Sequence, residues 1–166
     1  MNTMVHYYFA YGSNLSTRRL FIRLPHAQCR GVAELKGHEL TFNMLSKDGS
    51  AKCDITCTEA VSNRVLGVIY TLSSEELSTL DSIEGARYDR VSKQVRLLNG
   101  EFLEAYCYIA NTFHTDQLPF SWYKQHVLIG AREHCFPSSY IDTINHQTSM
   151  QDPDVKREQL ELEIYK

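Results

Sequence analysis

The chain has 166 residues, 43% of them hydrophobic and 22% charged, with 17 Lys and Arg against 20 Asp and Glu and a formal net charge of −3. These are the proportions of one soluble globular domain, and without a dense basic stripe a polyanion has little electrostatic reason to bind, so no nucleic-acid partner is expected. No apolar run reaches the roughly 18–20 residues that a membrane-spanning helix needs, and the N-terminus lacks the basic and apolar sections of a signal peptide; the expectation is a cytoplasmic protein with no membrane partner.

Val5 to Tyr11 is a near-continuous apolar run rich in aromatics and reads as a strand buried on both faces. It breaks at Gly12, Ser13 and Asn14. "STRRLFIRLP" then places Leu20, Phe21 and Leu24 at helical spacing, with Ser16 as N-cap and Pro25 as the stop. Two strand-like pieces flank Gly37, the second alternating Leu40, Phe42 and Met44 before the turn "KDGS", and "KCDITCTEAVS" and "RVLGVIYTL" follow as two more strands.

"SSEELSTLDSIEG" carries a serine cap, an acidic first turn, Leu77, Leu80 and Ile83 on one face, and Gly85 as its stop. "DRVSKQVRLL" and "FLEAYCYIA", joined through "NGE", make a hairpin. "SWYKQHVLIGARE" reads as an amphipathic helix, and "PSSYIDTINH" offers the start of another. This order predicts an α+β fold over residues 1–150, built on a strongly curved sheet or barrel with helices around it. Residues 151–166 form a polar tail or surface helix.

The five cysteines are scattered and odd in number. Cys53 and Cys57 share one face of a strand but lie too far apart along it to chelate together without a turn, so reduced packing thiols are expected. The histidines are dispersed and show no ligand spacing, and no metal site is expected. Trp122 reads as a core anchor.

Two features could carry chemistry. A strand that ends in Gly-Ser-Asn and runs straight into a helix leaves backbone N–H groups without internal partners, and such groups can hold an anion; Gly12 also lets a ligand approach the backbone closely. On pattern alone an ordinary turn explains the same residues. The second feature is Glu84, at the C-terminal end of its helix, where a carboxylate faces the unfavourable pole of the helix dipole. Asp81 shares that position. Either could simply reach solvent, or act as a general base that needs no metal.

Taken together and in this order, "YFAYGSNL", "GVAEL" followed by Leu40, Thr41 and Phe42, "VLGVIYTL", "LDSIEG", "ARYDRV" and "YKQHVLIGARE" resemble the γ-glutamylcyclotransferase family over Tyr8 to Tyr140. The resemblance implies a small mixed β-barrel with flanking α-helices, and a reaction that converts a γ-glutamyl amino acid to 5-oxoproline and a free amino acid without a cofactor. It implies that Glu84 is the acid/base, that Tyr8, Phe9, Ala10, Tyr11, Gly12 and Ser13 form the substrate cradle, and that Tyr123 contacts substrate. The short connection "GARY" leaves open whether Tyr88 lines the site. Members differ in the γ-glutamyl amide they accept; the Asn14 of the YGSN form points to γ-glutamyl dipeptides, with γ-glutamylamines or a γ-glutamyl protecting group as alternatives. A non-catalytic small-molecule binding module is the competing class, and a homodimer is carried over from the family.

Overall fold

The computed structural model describes residues 4–114 and 116–166, so residues 1–3 and 115 of the expected domain lie outside the description. Strand β1 (Val5–Ala10) leads through a 3-10 turn (Ser13–Leu15) into helix α1 (Thr17–Arg23). Four strands follow, β2 (Gln28–Lys36), β3 (His38–Leu45), β4 (Ala51–Cys57) and β5 (Arg64–Ser73), and then helix α2 (Ser74–Glu84). The hairpin β6 (Tyr88–Leu97) and β7 (Phe102–Ala110) precedes helices α3 (Ser121–Glu133), α4 (Ser138–Asn145) and α5 (Val155–Glu163).

Five strands close a barrel in the order β1-β5-β2-β6-β7, sealed where β1 lies parallel to β7 at Tyr8 and Tyr106. The other barrel pairs are antiparallel, so the expected mixed barrel with flanking helices is the fold observed. Its curvature has a local source in β2, whose register against β5 shifts between Cys29 and Gly31; Gly31 has φ 125°, a backbone conformation that side chains disfavour and that bends the strand at the bulge.

The chain leaves the barrel at Gly37 (φ 71°), the one residue between β2 and β3, and β3 and β4 pair with each other as a separate two-stranded ribbon. Nothing in their alternation distinguishes these two strands from barrel strands. The ribbon matters below because its second strand closes one side of the site.

β1 departs from its expected burial. Tyr8, Phe9 and Ala10 are buried, whereas Val5 and Tyr7 are exposed, so only the second half of the run is covered on both faces. The ladder also stops at Ala10, and Tyr11 turns away to donate its hydroxyl to the backbone oxygen of Tyr108. α2 starts with a reciprocal cap: Ser73 Oγ accepts from the Glu76 N–H (3.1 Å) and Glu76 accepts from the Ser73 N–H (3.2 Å). Leu77 and Leu80 of α2 are buried, while Ile83 stays exposed near its end.

The segment after Gln151 folds as α5, which buries no residue of its own yet is bonded to the body through polar groups. Glu161 accepts from Arg19 and from His126, and Tyr165 bonds Ser16 at 2.8 Å. Buried Asp152 accepts from the Trp122 indole N–H (2.8 Å) and from Arg157 (2.6 Å). All five cysteines are free, Cys53 and Cys107 buried and the other three exposed. No helix among the described residues is long and apolar enough to cross a membrane.

α3 packs directly on the 3-10 turn at Gly130, where an added Cβ would lie 2.4 Å from Leu15 and 2.5 Å from the Ser16 nitrogen. Gly130 thus sets the depth of the turn that follows Gly12. Gly130→Ala is expected to lower stability by about 1–3 kcal/mol, because a fully buried Leu15 backbone must move to admit the methyl group. Urea unfolding checks this; an unchanged midpoint would mean that the contact yields freely.

Candidate active site

A cavity of about 320 Å³, open to solvent on one side, lies at the end of the barrel where β1 gives way to the 3-10 turn. Six elements meet there. β1 and its turn supply Tyr8, Tyr11, Gly12, Ser13 and Asn14; β4 supplies Cys53; the end of α2 supplies Glu84; β6 and β7 supply Tyr88 and Tyr108; and α3 supplies Tyr123.

Of the residues expected from the sequence, Tyr8, Tyr11, Gly12, Ser13, Glu84 and Tyr123 come together around this cavity. Phe9 and Ala10 do not line it. Both are fully buried, and the Phe9 ring lies over Gly67, whose missing side chain makes the space: a Cβ there would sit 2.4 Å from the ring. Strand alternation turns Phe9 to the face opposite Tyr8; Ala10 shares Tyr8's face, but its side chain is only a methyl group. Tyr88, left open by its short connection, does line the cavity. Gly85, at φ 74°, makes the turn between α2 and β6, and this left-handed residue sets Tyr88 and Glu84 on one cavity wall.

The tyrosines are held by backbone groups. The Cys53 N–H donates to Tyr123 Oη at 3.0 Å, and Tyr88 Oη donates to the Cys53 carbonyl at 2.6 Å. One residue of the ribbon therefore positions two phenols from different elements. Gly12 is pressed against the same place: a Cβ on it would lie 3.0 Å from Cys53 Cβ and 3.3 Å from Tyr123 Oη. Among the described residues the N–H groups of Gly12 and Ser13 donate to no protein acceptor, so they remain available to a ligand.

Asn14 links the two sides of the pocket. Its amide nitrogen donates to Tyr8 Oη at 3.1 Å and to Glu84 Oε1 at 3.4 Å, and its buried Oδ1 has no partner. Asp81, the sequence's other candidate base, is turned elsewhere. It accepts from Tyr108 Oη (2.8 Å) on one oxygen and from Arg90 (2.7 Å) on the other, and it is absent from the lining of this cavity. Sequence reasoning weighed Cys53 only as a packing thiol and did not single out Tyr108. Neither had a local signal, since each sits in a strand whose alternation only says which face it shares.

Burial dominates the electrostatics. It pushes the Glu84 carboxyl up from 4.5 to about 6, against the opposing pull of the Arg23 and Arg19 charges. Tyr8, Tyr11, Tyr88 and Tyr123 are pushed upward by the same desolvation and stay neutral hydrogen-bonding groups. Burial likewise raises the Cys53 thiol to about 12, which keeps it protonated and a poor nucleophile. One carboxylate with a pKa near neutrality, ringed by uncharged phenols, can accept a proton and return it; no group of three or more His, Cys, Asp or Glu among the described residues could hold a metal ion.

The family model described as "AIG2-like family" matches residues 64–144. A Bos taurus protein named gamma-glutamylcyclotransferase is 32% identical over 143 residues, covering 83% of this chain and 76% of the relative. A Mus musculus protein of the same name is 29% identical, covering 82% of this chain and 76% of the relative. A solved structure named gamma-glutamyl cyclotransferase superposes with a TM-score of 0.84 at 23% identity, over 96% of this chain and 99% of that one, and shows a shared fold.

The raised Glu84 pKa is also a statement about stability. With about 6 in the folded chain against 4.5 unperturbed, the folded state binds the extra proton between these values. Its stabilising effect is therefore present below pH 4.5 and lost as pH rises through about 6. Glu84→Gln keeps the acceptor that Asn14 uses and removes the buried charge. The variant is expected to be more stable than the parent by about 1–2 kcal/mol at roughly pH 7.5 and equal to it at roughly pH 4, as read by urea titration at both values. A less stable variant at the higher pH would contradict the desolvated carboxylate.

Proposed function

The chain belongs to the γ-glutamylcyclotransferase family, and from that premise we propose that it converts a γ-glutamyl amino acid to 5-oxoproline and a free amino acid, with Glu84 as the single acid/base. The observation that carries this reading is the desolvated Glu84 carboxyl, placed beside the unpaired amides of Gly12 and Ser13 in a tyrosine-lined cavity.

The substrate brings its own nucleophile. Its α-amine attacks the γ-carbonyl carbon, forming the C–N bond of the five-membered lactam, and the amide C–N bond to the departing amino acid breaks. The enzyme's part is to fold the substrate so that amine and carbonyl meet, and to move protons. Ionised Glu84 takes a proton from the α-ammonium. The same carboxyl, now neutral, gives that proton to the departing nitrogen as the C–N bond breaks; ionised again, it takes the second proton from the new lactam nitrogen and passes it to the released amine, which leaves as an ammonium with Glu84 ionised.

Each neighbour has a task in this scheme. The Gly12 and Ser13 N–H groups hold the α-carboxylate or the oxyanion that develops on the γ-carbonyl. The unpartnered Asn14 Oδ1 is an acceptor for the α-ammonium, and its Nδ2 steers Glu84 Oε1 towards the same nitrogen. Tyr8, Tyr11, Tyr88 and Tyr123 exclude water and keep the carboxyl pKa high enough to accept a proton reversibly. The YGSN form, with Asn14 at its end, favours a γ-glutamyl dipeptide over a γ-glutamylamine.

Release of 5-oxoproline from a panel of γ-glutamyl compounds tests the proposal. Glu84→Gln is expected to remain folded and bind substrate while losing roughly 10²–10⁴ in kcat. Near-normal turnover by that variant would remove Glu84 from its role, and heat-shift stabilisation by 5-oxoproline with no turnover of any γ-glutamyl compound would favour a binding module.

The pH profile is a separate test. Because the base must be ionised in the free enzyme, kcat/KM should rise with pH and level off above about 6. An acid limb centred near the ordinary carboxylate value of 4.5 would mean that the base is solvated or lies elsewhere.

A further inference from the structure

A second cavity, of about 450 Å³, adjoins the first and shares Ser13, Glu84, Tyr88 and Tyr123 with it. A substrate whose scissile amide lies beside Glu84 therefore places its glutamyl part in one chamber and its leaving group in the other. The two chambers differ in charge. The first contains Glu84 and phenols, whereas Arg19, Arg23 and Lys52 line the second, three cations against the one carboxylate of Glu84.

Two of those cations have fixed partners. Lys52 donates to Asp48 (3.0 Å) and to Ser50 Oγ (3.1 Å), and Arg19 pairs with Glu161. Arg23 is half-buried and forms no hydrogen bond or ion pair among the described residues. Arg19, almost fully buried, also leaves its Nε donor without a partner. Guanidinium groups drawn out of water normally have carboxylate or carbonyl acceptors around them; Arg19 Nε lacks one, and Arg23, which still reaches water, has no acceptor among the described residues, so an anion in this chamber would meet both.

We propose that Arg23, supported by Lys52 and the free Arg19 Nε, is the subsite that reads the carboxylate of the departing amino acid and makes the enzyme discriminate between amino-acid and simple amine leaving groups. This rests on the reading of Glu84 as the base. The reaction itself adds a reason for an anion there: when Glu84 takes up its proton, the one carboxylate in this chamber is neutralised, and a substrate carboxylate beside Arg23 keeps the guanidinium paired through that step. Burial lowers the Arg23 pKa, and repulsion from Arg19 lowers it further, as befits a cation short of partners; Glu84 pulls the other way.

A matched pair of substrates separates this role from others. γ-Glutamyl-alanine and γ-glutamyl-ethylamide share the glutamyl group and differ in the carboxylate of the leaving amine. The parent enzyme should favour the alanine compound in kcat/KM by roughly 10- to 100-fold, the value of a charge-assisted hydrogen bond. In Arg23→Met that preference should shrink to within about 3-fold, and Arg23→Lys should restore part of it. Any effect of Arg23 on Glu84 acts on both substrates and cancels in the ratio.

If Arg23 instead held the glutamyl α-carboxylate, both substrates would lose equally and the ratio would persist, which overturns the proposal. A parent enzyme that turns over both compounds equally also overturns it, while leaving Glu84 as the base. Absence of 5-oxoproline from both compounds would sink the Glu84 reading and this one with it. Should Arg23→Met fail to fold, Arg23→Gln carries the same expectation, and the parent's own preference still decides.

Discussion

The geometry of the pocket hangs on one buried residue of the ribbon. Cys53 offers its N–H to Tyr123 and its carbonyl to Tyr88, and Gly12 lies against its Cβ. Buried backbone donors and acceptors have to be paired, so the requirement to satisfy Cys53 pulls α3, β6 and the loop after β1 into one place. The ribbon is not part of the barrel, and its pairing with Tyr88 of the barrel and Tyr123 of α3 is what converts an open barrel end into a walled cavity. A thiol is tolerated at this position because burial keeps it neutral.

The same burial sets the chemistry. A carboxyl in water would be a weak base at neutral pH. Glu84, surrounded by phenols and Asn14, meets desolvation that raises its pKa and two arginines that lower it, with desolvation the larger effect. The result near 6 is the compromise a reversible proton carrier needs. Removing the arginines from its vicinity would make Glu84 a stronger base but one more often protonated, and removing the tyrosines would make it always ionised and weakly basic.

The fold was largely legible because its signals are local. The cap and stop of α2, the NGE hairpin, and the helix after β1 are each written in a few adjacent residues, and the structure places them within one residue of the reading. Two kinds of information were not local. Which strands close the barrel and which form the ribbon depends on pairing partners far along the chain, and β3 and β4 alternate like any others. Within the site, Glu84 stood out because a carboxylate at a helix C-terminus is unfavourable, and Gly12 because the strand stops there. Cys53, Tyr108, Arg23 and Lys52 sit in ordinary local patterns and gain meaning only from what folds against them. Phe9 and Ala10 came with a contiguous motif, but a strand turns Phe9 to the face opposite Tyr8, and Ala10, on Tyr8's face, carries only a methyl group.

The C-terminal segment shows how a polar stretch with little apolar content can still be structural. Burial would raise the Glu161 carboxyl, yet the hydrogen bond from His126 and the charge of Arg19 outweigh it and hold it near 2. Desolvation keeps His126 below its ordinary value, and both of its ring nitrogens are engaged, Nε2 with Glu161 (2.9 Å) and Arg19 (3.1 Å) and Nδ1 with Tyr165 (2.6 Å). Tyr165 also bonds Ser16, the N-cap of α1, and α1 carries Arg19 and Arg23. α5 therefore helps to fix, through these hydrogen bonds and through Leu162 packed on the core, the helix that carries two of the second chamber's cations, Arg19 and Arg23. The position of Arg23 relative to Glu84 depends on residues about 140 positions later in the chain, a coupling that no pattern within either segment could announce.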